Sequence, residues 1–212
     1  MIDIKDLKKK YNGKTVLDIP SLRIEDNTTN YFVGENGSGK TTLILTICGF
    51  IHQDEGIILV DNHRNTASFV RKHSHVVFES GKGFYDYLTV LENIKYFLGI
   101  NQIKFKNVKE QLYDLVEAFS FNEHLSKKVS ELSQGNRQKA ALILALIKAS
   151  KYIALDEPTN GLDDGAKQVF ISKFEKLRNA GSTLLISTHD IPLYNSCTNV
   201  FRLSAGRLTD DT

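Results

Sequence analysis

The sequence predicts a protein of the α/β class whose sheet-forming core is interrupted by a block of helices. Two continuous apolar runs, at residues 152–156 and 183–188, are typical of buried parallel strands. Between about residues 87 and 149, apolar residues recur every three or four positions, which indicates helices. The 212 residues are enough for one large domain with a subdomain.

The N-terminal part has the alternation of an antiparallel β structure. Alternating apolar residues within 2–7 and 16–24 flank the turn-forming pair Asn12-Gly13, so a hairpin-like subdomain is expected here. The other elements predicted before the helical block are a strand at 31–33, a helix at 40–50, and strands at 57–60 and 76–78.

Three helices are predicted in the helical block. The first two lie in the segments YLTVLENIKYFLGI and VKEQLYDLVEAFSF, and the third runs from about 133 to 149. The core then resumes with the strand at 152–156, a helix at 164–180, the strand at 183–188 and a closing hairpin, VFRLSAGRLTD. We therefore predict a single domain, 1–212, in which 1–86 and 150–212 form the core with its β subdomain and 87–149 form the helical subdomain.

Composition restricts the possible function classes. The 27 Lys and Arg against 25 Asp and Glu leave a net charge of only +2, which argues against a dedicated nucleic-acid-binding protein. The run Lys8–Lys10 is interpreted as a solvated face, with an anionic lipid surface as the alternative. Two cysteines, Cys48 and Cys197, make no disulfide framework, so an intracellular protein is expected. The longest apolar run has eight residues, 140–147, too few for the roughly 20 that span a bilayer.

A phosphate-binding loop is predicted after the strand at 31–33. The segment GENGSGKTT satisfies G-x-x-x-x-G-K-[ST], follows a strand and precedes a helix, whereas a chance Gly-rich turn would need none of this context. Its backbone N–H groups would wrap phosphate, Lys40 would reach the β- and γ-phosphates, and Thr41 would bind magnesium. The predicted nucleotide-binding residues of this loop are Gly34, Glu35, Asn36, Gly37, Ser38, Gly39, Lys40, Thr41 and Thr42.

Two carboxylates follow at the end of the strand 152–156. Asp156 is predicted to hold magnesium, directly or through water. Glu157 is placed to orient or deprotonate an attacking water molecule, and Pro158 fixes the pair at the strand end. The alternative for Glu157 is a plain surface acid. These motifs together predict a P-loop NTPase (RecA-like) core, with an N-terminal antiparallel β subdomain and an inserted α-helical subdomain.

A histidine ends the next core strand. His189 alone could be structural, but ligands of α/β sheets bind outside the carboxyl ends of the strands, where the P-loop and Glu157 are also predicted to lie. We therefore predict a γ-phosphate role for His189. The pair His73-x-His75 would place two rings on one strand face, but the sequence suggests no third zinc ligand.

A second anion-binding segment, LSQGN at 132–136, stands where the third helix of the block begins. Ser133 and Gly135 lie at the N-terminus of that helix, where backbone N–H groups are without helical partners. The chain thus contains two phosphate-binding segments almost a hundred residues apart.

These motifs, in this order, resemble the ATP-binding subunit of an ABC transporter over essentially the whole chain. The resemblance makes LSQGN the signature motif, NGLD at 160–163 the D-loop and His189 the switch histidine, with Tyr11 at the position of the adenine-stacking aromatic. A half-buried strand aromatic is the alternative for Tyr11. The D-loop residues carried over are Gly161, Leu162 and Asp163.

The resemblance implies a head-to-tail dimer in which each ATP lies between one P-loop and the partner's signature helix. Ser133 and Gly135 would contact the γ-phosphate in trans. The signature departs from the family because Gln134 replaces its first Gly and Asn136 replaces its Gln. A third departure is Glu79, which stands where the family has a magnesium-contacting Gln, and is carried over as a possible metal ligand.

The implied cofactors are ATP and Mg²⁺, and the implied partners are a second ATP-binding subunit and a separate multi-span membrane permease, with no nucleic acid. The expected location is the cytoplasmic face of the cell membrane, and the helical segment resembles that of small exporter subunits. Phe84, Tyr85 and Tyr87 are candidate linings of a permease-binding groove, or else ordinary core of the insertion. A non-transport ATP-dependent switch is the alternative function, and a phosphotransferase is the third.

Overall fold

A computed structural model describes residues 1–189 and 199–209 of the chain. Cys197 and the last residue of the predicted closing hairpin, Asp210, lie outside these residues. The chain forms two compact units: the first comprises 1–76, 150–157 and 178–212, and the second comprises 77–149 and 158–177.

Within the described residues, the first unit contains two sheets and two helices. Its strands are β1 (Ile2–Tyr11), β2 (Lys14–Ile24), β3 (Thr29–Val33), β4 (Glu55–Val60), β5 (His63–Arg64), β6 (Ser74–Val77), β7 (Tyr152–Asp156), β8 (Thr183–Thr188), β9 (Asn199–Ser204) and β10 (Arg207–Thr209). The helices are α1 (Lys40–Ile47) and α2 (Ser68–His73). β1, β2, β4 and β5 form an antiparallel sheet in the order β2-β1-β4-β5. This sheet confirms the predicted β subdomain.

The second sheet carries the site residues of this unit. Its strand order is β10-β9-β3-β8-β7-β6, and β3 runs parallel to both β8 and β9. Val33 of β3 pairs with Thr188 of β8. β7 also runs parallel to β8, and Asp156 of β7 pairs with Ser187 of β8. This register brings the carboxyl ends of β3, β7 and β8 to one edge of the sheet, as the sequence predicts for a parallel core.

The core of the first unit joins residues of both sheets and of α1. Ile4, Ile19, Phe32, Ile44 and Leu185 belong to one cluster and are all fully buried. Burying an aliphatic or aromatic side chain of this size contributes about 1.5–3 kcal/mol. The alternation predicted for the N-terminal strands therefore reflects a sheet with one face packed on this core and the other toward solvent.

An ion-pair cluster lies at one end of β7. Asp61 accepts hydrogen bonds from Lys151 Nζ at 2.7 Å and from the Tyr152 hydroxyl at 2.8 Å. Burial opposes ionisation of Asp61, but the hydrogen bonds from Lys151, the Met1 amino group and Tyr152 outweigh it and lower its pKa to about 2. The carboxylate is thus held ionised by its neighbours.

Lowering the pH from about 4 to about 2 is expected to destabilise the fold through Asp61. Its pKa is depressed in the folded state, so the stabilisation is fully present above the ordinary carboxyl value and is lost as the pH falls through the folded value. The loss should reach at most about 2 kcal/mol. Denaturant unfolding across this range should show a flatter pH profile for Asp61→Asn, whereas Asp114→Asn, on an exposed helix face, should behave like the unaltered protein.

The second unit is helical. Its helices are α3 (Val90–Ile100), α4 (Phe105–Ala118), α5 (Gln134–Lys148) and α6 (Asp164–Asn179), with short 3₁₀ turns at Glu79–Gly81, Asn122–His124 and Val129–Glu131. α3 begins at a capping box: the Thr89 hydroxyl accepts from the Glu92 N–H, and the Glu92 carboxylate accepts from the Thr89 N–H. All three helices predicted in the block, and the helix predicted at 164–180, are present.

Two local features differ from the sequence prediction. The short helix α2 was not predicted, because six residues are too few to show helical periodicity. His73 ends α2 while His75 lies in β6, so the two rings do not share a strand face as the sequence suggested.

Among the helices that the structure describes, none combines the length and the apolar character needed to cross a bilayer.

Candidate functional site

The loop between β3 and α1 turns sharply before the helix and exposes its backbone. Gly39, immediately before α1, has φ of 105°, a conformation that side-chain-bearing residues rarely adopt. Glu35, Asn36 and Gly37 are exposed. The loop therefore presents its backbone, together with the partnerless N–H groups of the first turn of α1, to solvent.

Lys40 lies across this loop. Its Nζ donates to the carbonyl oxygens of Gly34 at 2.7 Å and Glu35 at 3.0 Å, while the residue is only 6% exposed. An ammonium group has three N–H donors, so one remains for an anion in the loop. The lysine thus both supports the loop conformation and places a positive charge within it.

Thr41 and Asp156 form the candidate metal pair. The Thr41 hydroxyl donates to Asp156 Oδ1 at 2.8 Å, and the buried Ser187 hydroxyl donates to the same oxygen. Threonine hydroxyl and carboxylate oxygens are ligands that Mg²⁺ accepts. Ser187 was not predicted from the sequence. It fixes the orientation of Asp156 from the neighbouring strand.

Glu157 follows Asp156 in a strained backbone conformation. Its φ is +45°, in the left-handed region, and its N–H donates to the Ser187 carbonyl at 3.1 Å. Such a conformation costs about 1 kcal/mol or more in a non-glycine residue and occurs most often at functional sites. His189 Nδ1 lies 3.1 Å from Glu157 Oε1. The two predicted catalytic side chains are therefore in direct contact.

Two buried polar atoms at this edge lack hydrogen-bond partners within residues 1–189 and 199–209. They are Glu157 Oε2 and Ser38 Oγ. A buried unpaired acceptor is costly, so each is expected to be satisfied by a group that the chain itself does not supply. These two atoms, the Thr41–Asp156 pair and the exposed backbone of the loop fit a bound nucleoside triphosphate with Mg²⁺ and an attacking water molecule.

A cavity of about 840 Å³ extends from the loop. The described residues that line it are Val33, Gly34, Glu35, Asn36, Gly37, Ser38, His189, Val200, Arg202, Leu203, Ser204, Ala205 and Thr209. Tyr11, at the end of β1, is 45% exposed, and Lys9 Nζ lies 5.2 Å from its ring centroid. The ring is therefore accessible for stacking.

In the second unit, the segment 132–136 begins α5. Ser133 is the N-cap, and its hydroxyl accepts from the Asn136 N–H at 3.3 Å. The Asn136 side-chain amide lies 3.2 Å from His124 Nε2, and Gln134 Nε2 donates to the Ser80 hydroxyl at 2.7 Å. The two residues that depart from the family signature thus contact neighbouring turns.

Gly135 approaches the predicted D-loop closely. A Cβ atom added at Gly135 would lie 2.2 Å from the Gly161 carbonyl oxygen, so only glycine fits here without displacement. Leu162 is buried, and Asp163 caps α6 by accepting from the Ala166 N–H at 2.8 Å. The Lys139 ammonium 2.6 Å away, with this N–H, lowers the pKa of Asp163. The segment 160–163 is thereby held against α5.

Glu79 lies in the 3₁₀ turn after β6. Its Oε1 accepts from Asn160 Nδ2 at 3.4 Å, so the residue that replaces the family glutamine contacts the loop that precedes Gly161. Tyr85 and Tyr87 are exposed, by 37% and 70% of their surface, while Phe84 is half-buried with its ring 5.8 Å from that of Phe97.

Comparison with known proteins shows which family the chain is similar to. The family model described as "ABC transporter" matches residues 17–160. The ABC transporter ATP-binding protein NatA of Bacillus subtilis is 30% identical over 98% of this chain and 87% of its own length. The tungstate uptake system ATP-binding protein TupC of Peptoclostridium acidaminophilum is 33% identical over 98% of this chain and 96% of its own.

The fold also matches a solved structure closely. A dimeric ATP-binding cassette, MJ0796, described as a post-hydrolysis state bound to ADP and Pi, superposes with a TM-score of 0.89. The match covers 100% of this chain and 98% of that chain, at 22% sequence identity. At this level of identity the similarity establishes the shared fold.

Proposed function

Because the chain belongs to the ABC transporter family, as an ATP-binding ATPase cassette of that family, we propose that it powers movement of a substrate across a membrane by binding a separate multi-span permease. The structural observation that supports the hydrolysis driving this movement is the contact of Glu157 with His189 beside the Thr41–Asp156 pair, with Glu157 Oε2 buried and without a described partner. This arrangement supports ATP hydrolysis at the edge of the second sheet where the carboxyl ends of β3, β7 and β8 meet. The transport part of the proposal is supported by the family and by the names of the relatives.

Each residue at this edge has a role in the proposed reaction. The P-loop N–H groups and Lys40 bind the phosphates and offset their charge, while Tyr11 stacks on the adenine ring. Thr41 and Asp156 would hold Mg²⁺, which neutralises charge on the β- and γ-phosphates when bound. Ser187 keeps Asp156 in the orientation that this requires.

Glu157 acts on the attacking water. Its Oε2 accepts a hydrogen bond from the water and orients or deprotonates it for attack on the γ-phosphorus. His189 contacts the other carboxylate oxygen through Nδ1, and in this proposal its imidazole also contacts the γ-phosphate. Because His189 would contact both groups, the position of the Glu157 carboxylate would depend on whether the γ-phosphate is present.

We further propose that two cassettes, in the first instance two copies of this chain, bind ATP between one P-loop and the partner's Ser133 and Gly135. The exposed Ser133 and the N-terminus of a 15-residue helix support this role, because the N–H groups there favour an anion. Hydrolysis would remove the bridging phosphate and let the cassettes separate, so that ATP drives a motion.

The direction of transport stays a prediction. The resemblance of the helical segment to that of small exporter subunits favours export, whereas one relative carries a name that includes uptake. The proposal places the chain at the cytoplasmic face of the membrane with its permease, where Phe84, Tyr85 and Tyr87 would contact the permease. The cargo would be selected by the permease.

The test is affinity purification of Glu157→Gln from native membranes with ATP and Mg²⁺, followed by identification of the bound proteins. A multi-span membrane protein in the ATP-dependent fraction supports transport. Only soluble proteins or nucleic acid, together with an ATP-dependent dimer, would contradict transport and favour the switch function. The matched control is Glu117→Gln, an exposed substitution on α4 that should give no ATP-dependent capture.

Replacing Glu79 by Gln is expected to change the ATPase rate at fixed Mg²⁺. The resemblance puts Glu79 at the position of a magnesium-contacting glutamine, where a carboxylate would add a negative charge near the triphosphate unless the metal neutralises it. A glutamine would remove that charge and could still bond to Asn160. Steady-state ATPase assays over a Mg²⁺ titration should show the difference. Superimposable titration curves for the two proteins would contradict a role of Glu79 near the metal.

A further inference from the structure

Gln138 connects three segments of the second unit. Its side chain lies on α5, one turn beyond Gln134, and is completely buried. Oε1 accepts from the Gly81 N–H at 2.7 Å, and Nε2 donates to the Pro158 carbonyl at 3.2 Å. One amide therefore joins the turn that bears Glu79, the helix that follows Ser133, and the loop that leads to Gly161.

Two more exposed hydrogen bonds join the same three segments. Gln134 donates to Ser80, and Asn160 donates to Glu79. A Cβ atom at Gly81 would lie 2.3 Å from the Arg137 carbonyl oxygen, so the turn and the helix are in backbone contact there. These outer contacts are exposed or partly buried, whereas both hydrogen bonds of Gln138 are buried and are therefore the least exchangeable with water.

We propose that Gln138 is a positioning residue for ATP hydrolysis, which sets Glu79 and the 158–161 loop relative to Ser133 and Gly135. An amide matches both segments, because the Gly81 N–H, which also donates to the Phe78 carbonyl at 3.1 Å, is a donor and the Pro158 carbonyl is an acceptor. The inference rests on the proposed function, since Ser133 and Gly135 matter for hydrolysis only if they contact the phosphate of a partner's ATP. Gln138 itself contacts neither nucleotide nor water in this role.

Gln138→Met removes both hydrogen bonds while nearly preserving volume. We expect kcat for ATP to fall by about 10- to 100-fold, because a small misplacement of groups around the reacting phosphate has effects of this size. The affinity of the isolated chain for a fluorescent ATP analogue should stay within about twofold, since the P-loop is intact. The control is Gln111→Met, which removes another glutamine bond to a backbone carbonyl of α5 (Nε2 to Leu146, 3.4 Å), at the C-terminal end of that helix and two turns beyond Gln138.

Gln138→Glu separates positioning from folding. A carboxylate keeps the acceptor for Gly81 but loses the donor for Pro158, and protonation restores a donor. We expect the ratio of its kcat to that of the unaltered protein, measured at the same pH, to rise as the pH is lowered. Its KM should change little. The thermal melting curve of each variant is recorded at every pH, so that a loss of folded protein is separated from a loss of rate.

The assays use the full chain, measuring ATPase rate and ATP-dependent dimerisation in parallel. Unchanged kcat in Gln138→Met, or a fall in kcat that follows nucleotide affinity and melting temperature in proportion, would overturn the positioning role while leaving the proposed function intact. If the unaltered chain neither hydrolyses ATP nor dimerises with it, the proposed function fails and the inference fails with it.

Discussion

Glu157→Gln is expected to lower ATP turnover by about 100- to 10,000-fold while ATP still binds, because the substitution removes a general base and leaves the P-loop unchanged. The left-handed backbone of Glu157 and its contact with His189 fix the position of the carboxylate. Its second oxygen has no described partner and can therefore accept a hydrogen bond from the attacking water. A glutamine can occupy the same position and keep a hydrogen bond to His189, but it cannot accept a proton at pH 7.

The same variant should accumulate as an ATP-bound dimer. With hydrolysis blocked, the γ-phosphate persists, and any binding that prefers the closed state shifts the population toward it. Single-turnover ATPase assays and size-exclusion chromatography with light scattering measure the two effects. A turnover within about tenfold of the unaltered protein would contradict the assignment of Glu157 as the base. Glu117→Gln, which has the same chemistry on an exposed face of α4, should change neither rate nor mass.

The parts of this site that the sequence predicted are those within a single short segment. The P-loop, Asp156-Glu157 and the segment 132–136 each carry their chemistry at fixed spacing, and the flanking apolar runs predict the strand or helix that positions them. The parallel core then places the P-loop, Glu157 and His189 at one edge because carboxyl ends of parallel strands coincide.

The parts that the sequence did not predict depend on contacts between distant segments. Ser187 lies in an apolar strand, and nothing local marks its hydroxyl as a partner of Asp156, which is 31 residues away. Gln138 sits among polar residues of a helix, and only the packed structure shows that both ends of its amide are buried.

Gly135→Ala is expected to abolish ATP-dependent dimerisation and to lower ATP turnover by about 100-fold or more. The added methyl group would meet the Gly161 carbonyl oxygen at 2.2 Å, so either α5 or the 160–163 segment must move. If α5 moves, it displaces Ser133 and Gly135, the groups proposed to bind the partner's γ-phosphate; if the 160–163 segment moves instead, the predicted D-loop beside these groups is displaced. Affinity of the monomer for ATP should not change, because the P-loop residues are untouched.

Combining the two substitutions distinguishes their mechanisms. Glu157→Gln should block the chemical step after the dimer forms, whereas Gly135→Ala should prevent the dimer from forming, so the double variant should bind ATP and remain monomeric. The control is Gly99→Ala on α3, where the added methyl group meets nothing within 4 Å and should leave the dimer of the Glu157→Gln protein intact. An ATP-dependent dimer of the double variant as stable as that of Glu157→Gln alone would show that Gly135 does not serve the partner's nucleotide. The second phosphate-binding segment would then need another explanation than a site shared between two chains.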